Sequence, residues 1–297
     1  MTDKAPVGVV GIGLIGGALA GRLLAAGYKV MGYDVDPAKR DALSAKGGEG
    51  IASLPELFRK VDRVLVSVFN TEQVEDVVEG KGGLREIATE TGRDKLAIVV
   101  STCDPERIRL LGERIAGSRA HLLEMPISGA SGQVASGDGV GLVGGSQADA
   151  DWAADLLAAL VKKCHFMGAT GNGGRTKLAV NLILGLNRAG LGEGLVFAEA
   201  IGLPLPAFLN AARDSAAYSQ IMDVKGDMMI RDTFTPPQGR IAQATKDVHL
   251  MMEAAEAVGQ ELPLGRTYLD LLEKSIAAGD ADIDNSGVMR EIRRRRL

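Results

Sequence analysis

Apolar positions follow two different rhythms along the chain. Up to about residue 168, short runs rich in Val, Ile and Leu alternate with stretches of helical spacing, the pattern of a doubly wound α/β domain built on a parallel sheet. The runs predicted as strands are Val7–Gly11, Lys29–Asp34, Val64–Phe69, Leu96–Ser101, His121–Met125, Gly139–Gly144 and Cys164–Gly168. From Gly173 onward apolar residues recur at three and four positions, with breaks at Gly202–Pro206, Thr235–Gly239 and Gly259–Pro263, and no strand rhythm returns. The expected architecture is a Rossmann-type domain over residues 1–168 and an all-α domain over residues 169–297. The second is led by a long interdomain helix over Gly174–Ile201, roughly 40 Å long at 1.5 Å per residue. Gly185, Gly190, Gly192 and Gly194 lower its helix propensity but admit close neighbours. That marks it as a core helix and a candidate for a subunit interface.

Composition narrows the class. A chain of 297 residues with 46% hydrophobic residues and a net charge of -4 can bury the cores of one large or two ordinary domains. Charged residues and glycines interrupt every apolar stretch before it reaches the roughly 20 residues of a membrane helix. The first strand begins almost at once, which leaves no room for a secretory leader, and a cytoplasmic protein is expected. Cys103 and Cys164 are read as small apolar residues without a catalytic role. His121, His165 and His249 have no ligand spacing, and no metal site is expected. The Arg-rich stretch Arg290–Arg296 suits either nucleic acid or a solvated helix end. In an acidic chain, cations at a helix C-terminus have a sufficient reason in the helix dipole, so no nucleic-acid partner is expected.

Candidate chemistry begins directly after the first strand. Gly11-Ile12-Gly13-Leu14-Ile15-Gly16 opens a helix whose apolar face includes Leu19, Leu23 and Leu24. In that context the glycines allow a tight turn, close approach of the backbone to a pyrophosphate and close helix packing, while the free N–H groups of the helix start favour phosphate charge. Asp34 ends the second strand, where a carboxylate can accept hydrogen bonds from the ribose hydroxyls of NAD and would repel a 2′-phosphate. NAD is the expected cofactor; Lys39 and Arg40, close by, keep NADP open.

Three further segments carry a resemblance. Glu124-Met125-Pro126-Ile127-Ser128-Gly129-Ala130, the stretch Gly171 to Asn181 containing Lys177, and Lys246-Asp247-Val248-His249-Leu250 occur in the order seen in the β-hydroxyacid dehydrogenase family. That family includes 3-hydroxyisobutyrate dehydrogenase and tartronate semialdehyde reductase, and the resemblance covers essentially the whole chain. It implies that Ser128, Gly129 and Ala130 bind a substrate carboxylate, that Lys177 exchanges the hydroxyl proton, and that Asn181 holds the hydroxyl and lysine in line. Lys177 and Asn181 stand one helical turn apart and so share a face. Their apolar neighbours Leu178, Val180, Leu182, Ile183 and Leu184 argue that the lysine enters a cleft. A solvated lysine is a poor base near neutrality, so desolvation or a second cation, with Lys246 as candidate, is expected to assist it. The resemblance also places Lys246, Phe69, Asn70 and the pair Ser101–Thr102 beside the nicotinamide end of the cofactor. Asp247 reads as a structural partner and His249 as a partly buried helix residue. Tyr218 and Ser219 fall in the region that meets the far end of the substrate in relatives.

Departures from the family pattern bear on the substrate. Glu124 replaces Asp, Ala130 replaces Gly, Gly174 and Arg175 replace a Gln and a small residue, and Val180 replaces Asn. The expected activity is reversible NAD-dependent oxidation of a small 3-hydroxy acid to its semialdehyde or keto acid. The alternatives are an NADPH-dependent reductase of a small semialdehyde such as tartronate or succinate semialdehyde and, from another class, a noncatalytic dinucleotide-binding module. Imine-reducing relatives, like the noncatalytic branch, lack the lysine that this chain retains.

Overall fold

The computed structural model describes residues 4–295. Strands β1 (Val7–Val10), β2 (Val30–Tyr33), β3 (Glu49–Gly50), β4 (Arg63–Val66), β5 (Lys95–Val99) and β6 (Ala120–Glu124) form a six-stranded sheet of order β3-β2-β1-β4-β5-β6, and every neighbouring pair is parallel. Helices α1 (Leu14–Ala25), α2 (Pro37–Ala45), α3 (Leu54–Lys60), α4 (Thr71–Glu79), α5 (Leu84–Thr91) and α6 (Pro105–Ile115) provide the crossovers. Strand residues alternate between two cores, which is why the strands read as unbroken apolar runs. Val7 and Val9 pack with Leu19, Leu23 and Leu160, whereas Val10, Val64 and Val66 pack with Leu57, Ile87 and Ile108. The strand order reverses between β1 and β4, and the crevice outside their carboxyl ends is where such a sheet accepts a ligand.

The last strands depart from the expected single sheet. Met125 makes one more ladder bond, N–H to Val99 O at 2.8 Å, but Pro126 has no N–H and the ladder stops there. The chain then turns into a small sheet of β7 (Ile127–Ser128), β8 (Val140–Val143) and β9 (Lys163–Phe166), with β7 antiparallel to β8 and β8 parallel to β9. Gly139–Gly144 and Cys164–Gly168 are therefore strands, as expected, but outside the six-stranded sheet. Helices α7 (Ser131–Ser136) and α8 (Gln147–Leu160) complete this region. Cys103 is buried, whereas Cys164 lies exposed on β9 rather than in a core.

The chain divides into two compact units, Met1–Lys177 and Leu178–Leu297. The long helix α9 (Asn172–Ala200) runs across that division and is followed by α10 (Leu205–Arg213), α11 (Gln220–Ile230), α12 (Ile241–Ala257), α13 (Pro263–Ala277) and α14 (Val288–Arg294). In the second unit a buried ion pair, Lys225 Nζ to Asp284 Oδ2 at 2.7 Å, is completed by N–H donation from Gln238 and Ser286 to the same carboxylate. The arginine end is exposed at Arg294 and Arg295 and is also neutralised by ion pairs. Arg290 pairs with Asp232, Arg293 with Glu199, Arg294 with Asp280 and Arg295 with Asp270; Arg296 lies outside the described residues. Among the described residues, no helix is long and apolar enough to cross a membrane.

Candidate active site

The glycine loop after β1 divides its work among three positions. Gly11 sits at φ +85°, and a Cβ there would lie 2.2 Å from Ser67 O; at Gly16 it would lie 1.9 Å from Gly11 O. These two glycines let the start of α1 settle onto the ends of β1 and β4. Gly13 differs, because a Cβ there would meet nothing within 4 Å and no side chain caps the helix start. An open cradle at an uncapped helix N-terminus fits a pyrophosphate. Leu14 and Ile15 form the first turn of that helix, so the loop Gly11–Gly16 stands where the sequence placed it.

Asp34 follows β2 and is buried. Its Oδ2 accepts from Ile12 N–H at 2.7 Å and its Oδ1 from Asp36 N–H at 3.0 Å. The turn role falls to Asp36, which caps α2 through Ala38 N–H. Lys39 Nζ lies 3.7 Å from the Asp34 carboxylate, and Arg40 donates to the Asp34 carbonyl at 2.6 Å. Both cations thus flank the acid that marks the ribose position.

The loop after β4 is braced by Ser101, whose hydroxyl donates to Val68 O at 2.8 Å and accepts from Val68 N–H at 2.9 Å. Phe69 projects into solvent and its N–H is taken by Gln73 Oε1, while Asn70 caps α4 through Gln73 N–H. Thr102 follows Ser101 in the neighbouring loop and is half-buried. Asn70 therefore has a structural task besides any contact with a cofactor.

Glu124 closes β6 and reaches the start of α9. Its carboxylate accepts N–H groups from Gly171 and, at 3.0 Å, Gly174. Burial pushes its pKa up to about 7, against the lowering pull of these N–H groups and of Arg175. Three residues on, Ile127 O accepts from the buried Lys177 Nζ at 2.7 Å. Ser128 and Gly129 come next, so one strand-to-loop segment meets the lysine and supplies the expected carboxylate loop. Ala130 N–H is engaged by Gln133 Oε1 at 2.9 Å, which leaves the Ser128 hydroxyl and the Gly129 backbone as the more available donors. Arg175 is exposed and pairs with Glu106 and Asn172, a surface arrangement.

In the second unit, Asn181 Nδ2 donates to Asp247 Oδ2 at 3.1 Å, while its buried Oδ1 finds no donor among the described residues. Asp247 is buried, accepts from Gln243 and pairs with Lys246 Nζ at 2.8 Å. It thus orients the Asn181 amide, a local role finer than the helix anchoring the sequence suggested. His249 is exposed beside Glu273, and Tyr218 is exposed with its hydroxyl on Asp223. The Glu124 and Asp247 contacts were missed by sequence reasoning. The signal for the first was the family departure at Glu124 beside a glycine run at 171, 173 and 174.

Known proteins resemble the chain over nearly its whole length. A family model described as the NAD binding domain of 6-phosphogluconate dehydrogenase matches residues 6–168. A second, described as NAD-binding of NADP-dependent 3-hydroxyisobutyrate dehydrogenase, matches residues 171–292. The chain is 26% identical to 2-hydroxy-3-oxopropionate reductase of Escherichia coli (strain K12), over 96% of each chain. It is 30% identical to a probable mitochondrial 3-hydroxyisobutyrate dehydrogenase-like protein of Arabidopsis thaliana, over 98% of this chain and 94% of the relative. A solved 3-hydroxyisobutyrate dehydrogenase from Salmonella typhimurium superposes with a TM-score of 0.87 at 25% identity, over 97% of this chain and 99% of that one.

Two predictions follow from the geometry. Gly13→Ala is expected to keep stability within about 1 kcal/mol, since Ala is only a poorer cap than Gly, and to weaken NADH or NADPH binding about tenfold. Gly16→Ala, whose Cβ has no room, is expected to lose about 1–3 kcal/mol of stability. Thermal unfolding and fluorescence titration of the cofactor check both. The second concerns Glu124, whose pKa is raised from 4.5 to about 7. Its contribution to stability is full below the ordinary value and is lost as pH rises through about 7. The unfolding free energy of the wild type relative to Glu124→Gln should therefore fall between mildly acidic and mildly alkaline pH, by up to about 3 kcal/mol. A flat difference across that window contradicts the assignment.

Proposed function

The chain belongs to the β-hydroxyacid dehydrogenase family and is an NAD(P)-binding oxidoreductase, and from that premise we propose that it oxidises a small 3-hydroxy acid to its semialdehyde or keto acid, reversibly, with Lys177 as proton-transfer group. The observation that carries this reading is the buried Lys177, whose Nζ donates to Ile127 O immediately ahead of Ser128 and Gly129. A lysine held out of water beside a loop of hydroxyl and backbone donors suits an alcohol next to a carboxylate.

The roles are as follows. The Ser128 hydroxyl and Gly129 N–H take the substrate carboxylate, with the Ala130 methyl limiting its bulk. Lys177, in its neutral form, accepts the hydroxyl proton and returns it in the reverse direction. Asn181, one helical turn on, offers its unmatched Oδ1 to the hydroxyl or the ammonium. The dinucleotide, when bound, supplies the hydride acceptor. Gly11, Gly13, Leu14, Ile15 and Gly16 hold its pyrophosphate, Asp34 its ribose, and Phe69, Asn70, Thr102 and Lys246 its nicotinamide end, these last by resemblance. Residues 1–168 are assigned as the dinucleotide-binding part and residues 169–297 as the all-helical part that carries substrate and oligomer contacts.

A second reading has its own support. Lys39 and Arg40 stand beside Asp34, which suits a 2′-phosphate and hence an NADPH-dependent semialdehyde reductase. An assay panel of 3-hydroxyisobutyrate, glycerate, serine, threonine and 3-hydroxypropionate with NAD and NADP, and the reverse reaction with tartronate and succinate semialdehydes, separates them. Lys177→Ala is expected to lower turnover at least roughly a hundredfold while leaving cofactor affinity within about twofold. Silence of the wild type across the panel, with the cofactor bound, moves the assignment to a noncatalytic dinucleotide-binding module.

Ile183, Phe197 and Ile201 on and beside α9 are exposed apolar residues, consistent with the homodimer or homotetramer proposed for this chain. Light scattering behind size exclusion should give a multiple of the 31.1 kDa chain mass. A monomeric mass at micromolar concentration removes this assignment.

A further inference from the structure

Glu124 does something that no resemblance assigns to it. It ends β6, the last strand in the order of the six-stranded sheet, and its side chain crosses to the first turn of the helix that carries Lys177. Oε1 accepts from Gly174 N–H at 3.0 Å, and Oε2 accepts from Gly171 N–H. These are N–H groups that a helix start cannot satisfy internally. Here they meet a buried acid anchored in the sheet instead of water. The Glu124 backbone is held as well, since its N–H donates to Gly144 O at 2.7 Å and its carbonyl accepts from Gly144 N–H at 3.1 Å.

The fit leaves no slack. A Cβ at Gly173 would come within 2.7 Å of Leu142 O and 3.1 Å of Glu124 Cβ, and one at Gly174 within 3.0 Å of Glu124 Oε1 and 3.3 Å of Pro105 Cγ. The longer acid at 124 and the missing side chain at 174, both departures from the family pattern, therefore meet at one contact. Lys177 follows Gly174 by three residues on the same helix, and its Nζ is received by Ile127, three residues after Glu124. The segment from Glu124 to Ile127 thus grips the helix start at two points, by a carboxylate on the backbone and by a carbonyl on the lysine.

We propose that Glu124 is a positioning residue for Lys177: by holding the N–H groups of Gly171 and Gly174 it fixes the register of the first turns of α9 and keeps the lysine amine against the segment that leads into Ser128. The proposal rests on the reading of Lys177 as the proton-transfer group. Catalytic groups displaced by about 1 Å lose up to a hundredfold in rate, so the expected effect is on turnover rather than cofactor binding.

The test uses the full chain and compares Glu124→Gln, Glu124→Asp, Gly174→Ala and the double variant Glu124→Asp/Gly174→Ala. Glu124→Gln puts an amide donor against backbone donors, and Gly174→Ala pushes the carboxylate away without removing it. Both should lower kcat about tenfold or more, with cofactor Kd within about twofold. Both should also raise the reaction of Lys177 with an amine-specific reagent severalfold, measured by mass spectrometry relative to the exposed Lys162. The shorter acid makes room for the alanine, so the double variant should turn over faster than Gly174→Ala alone.

Folded Glu124→Gln with unchanged kcat and unchanged Lys177 reactivity overturns the proposal, as does a lowered melting temperature with both readouts intact. If Glu124→Gln does not fold, Gly174→Ala decides by the same two readouts. If the wild type shows no turnover on any acid or semialdehyde, the functional reading fails by itself. Lys177 reactivity then decides this proposal, raised in the variants if Glu124 places the lysine and unchanged if it does not.

Discussion

An ammonium taken out of water must meet an acceptor, and in this protein the acceptor for Lys177 is the Ile127 carbonyl. That bond exists only because the chain leaves the six-stranded sheet at the right residue. Pro126 cannot donate to the ladder, so the backbone leaves the six-stranded sheet after Met125, and the Ile127 carbonyl that follows receives Lys177 Nζ. The same departure starts β7, and β7 in turn sets the loop at Ser128 and Gly129. A proline at one position thereby sets where the strand leaves the sheet and where the carbonyl that meets the lysine lies.

The cofactor loop depends on a similar economy of contacts. Gly11 and Gly16 let backbone approach backbone at the reversal of strand order: Gly11 is fitted against the Ser67 carbonyl just after β4, and Gly16 against the Gly11 carbonyl. Ser101 ties the following residues of that loop to the next strand. The open position at Gly13 is therefore held between two closed ones. A cradle that is empty of side chain but rigid in backbone is what a large anion needs, because its hydrogen-bond donors are in place before it arrives.

Much of this was legible in the residues, and the limits have physical causes. The strand rhythm exposed the Rossmann sheet because its strands are buried on both faces. It missed β3, Glu49–Gly50, which is short and exposed and so lacks an apolar signature. It could not separate β8 and β9 from the main sheet, since a short β-rich run does not say which sheet it joins, and β9 is exposed along its length. Only the missing N–H of Pro126 marked the division. Spacing and resemblance brought Lys177, Ser128 and the glycine loop forward. The partners of Glu124 and Asp247 stayed hidden because they are long-range, 47 residues from Glu124 to Gly171 and 66 from Asn181 to Asp247. One sequence without its fold does not say which distant N–H or amide a carboxylate will meet.

Asp34 shows why the choice between NAD and NADP is harder to read than the presence of a dinucleotide. An acid at the end of β2 is expected to exclude a 2′-phosphate by charge and to accept from two ribose hydroxyls. Here the carboxylate is already committed to the N–H groups of Ile12 and Asp36, so one of its tasks is to hold the glycine loop closed. Lys39 lies within ion-pair distance of it, and Arg40 is drawn to its carbonyl. The negative charge that would reject a phosphate is thus partly offset by two cations that would welcome one. The charge at the end of β2 is therefore that of a cluster rather than of a single residue. A carboxylate needed for the loop persists whichever cofactor the surrounding cations favour.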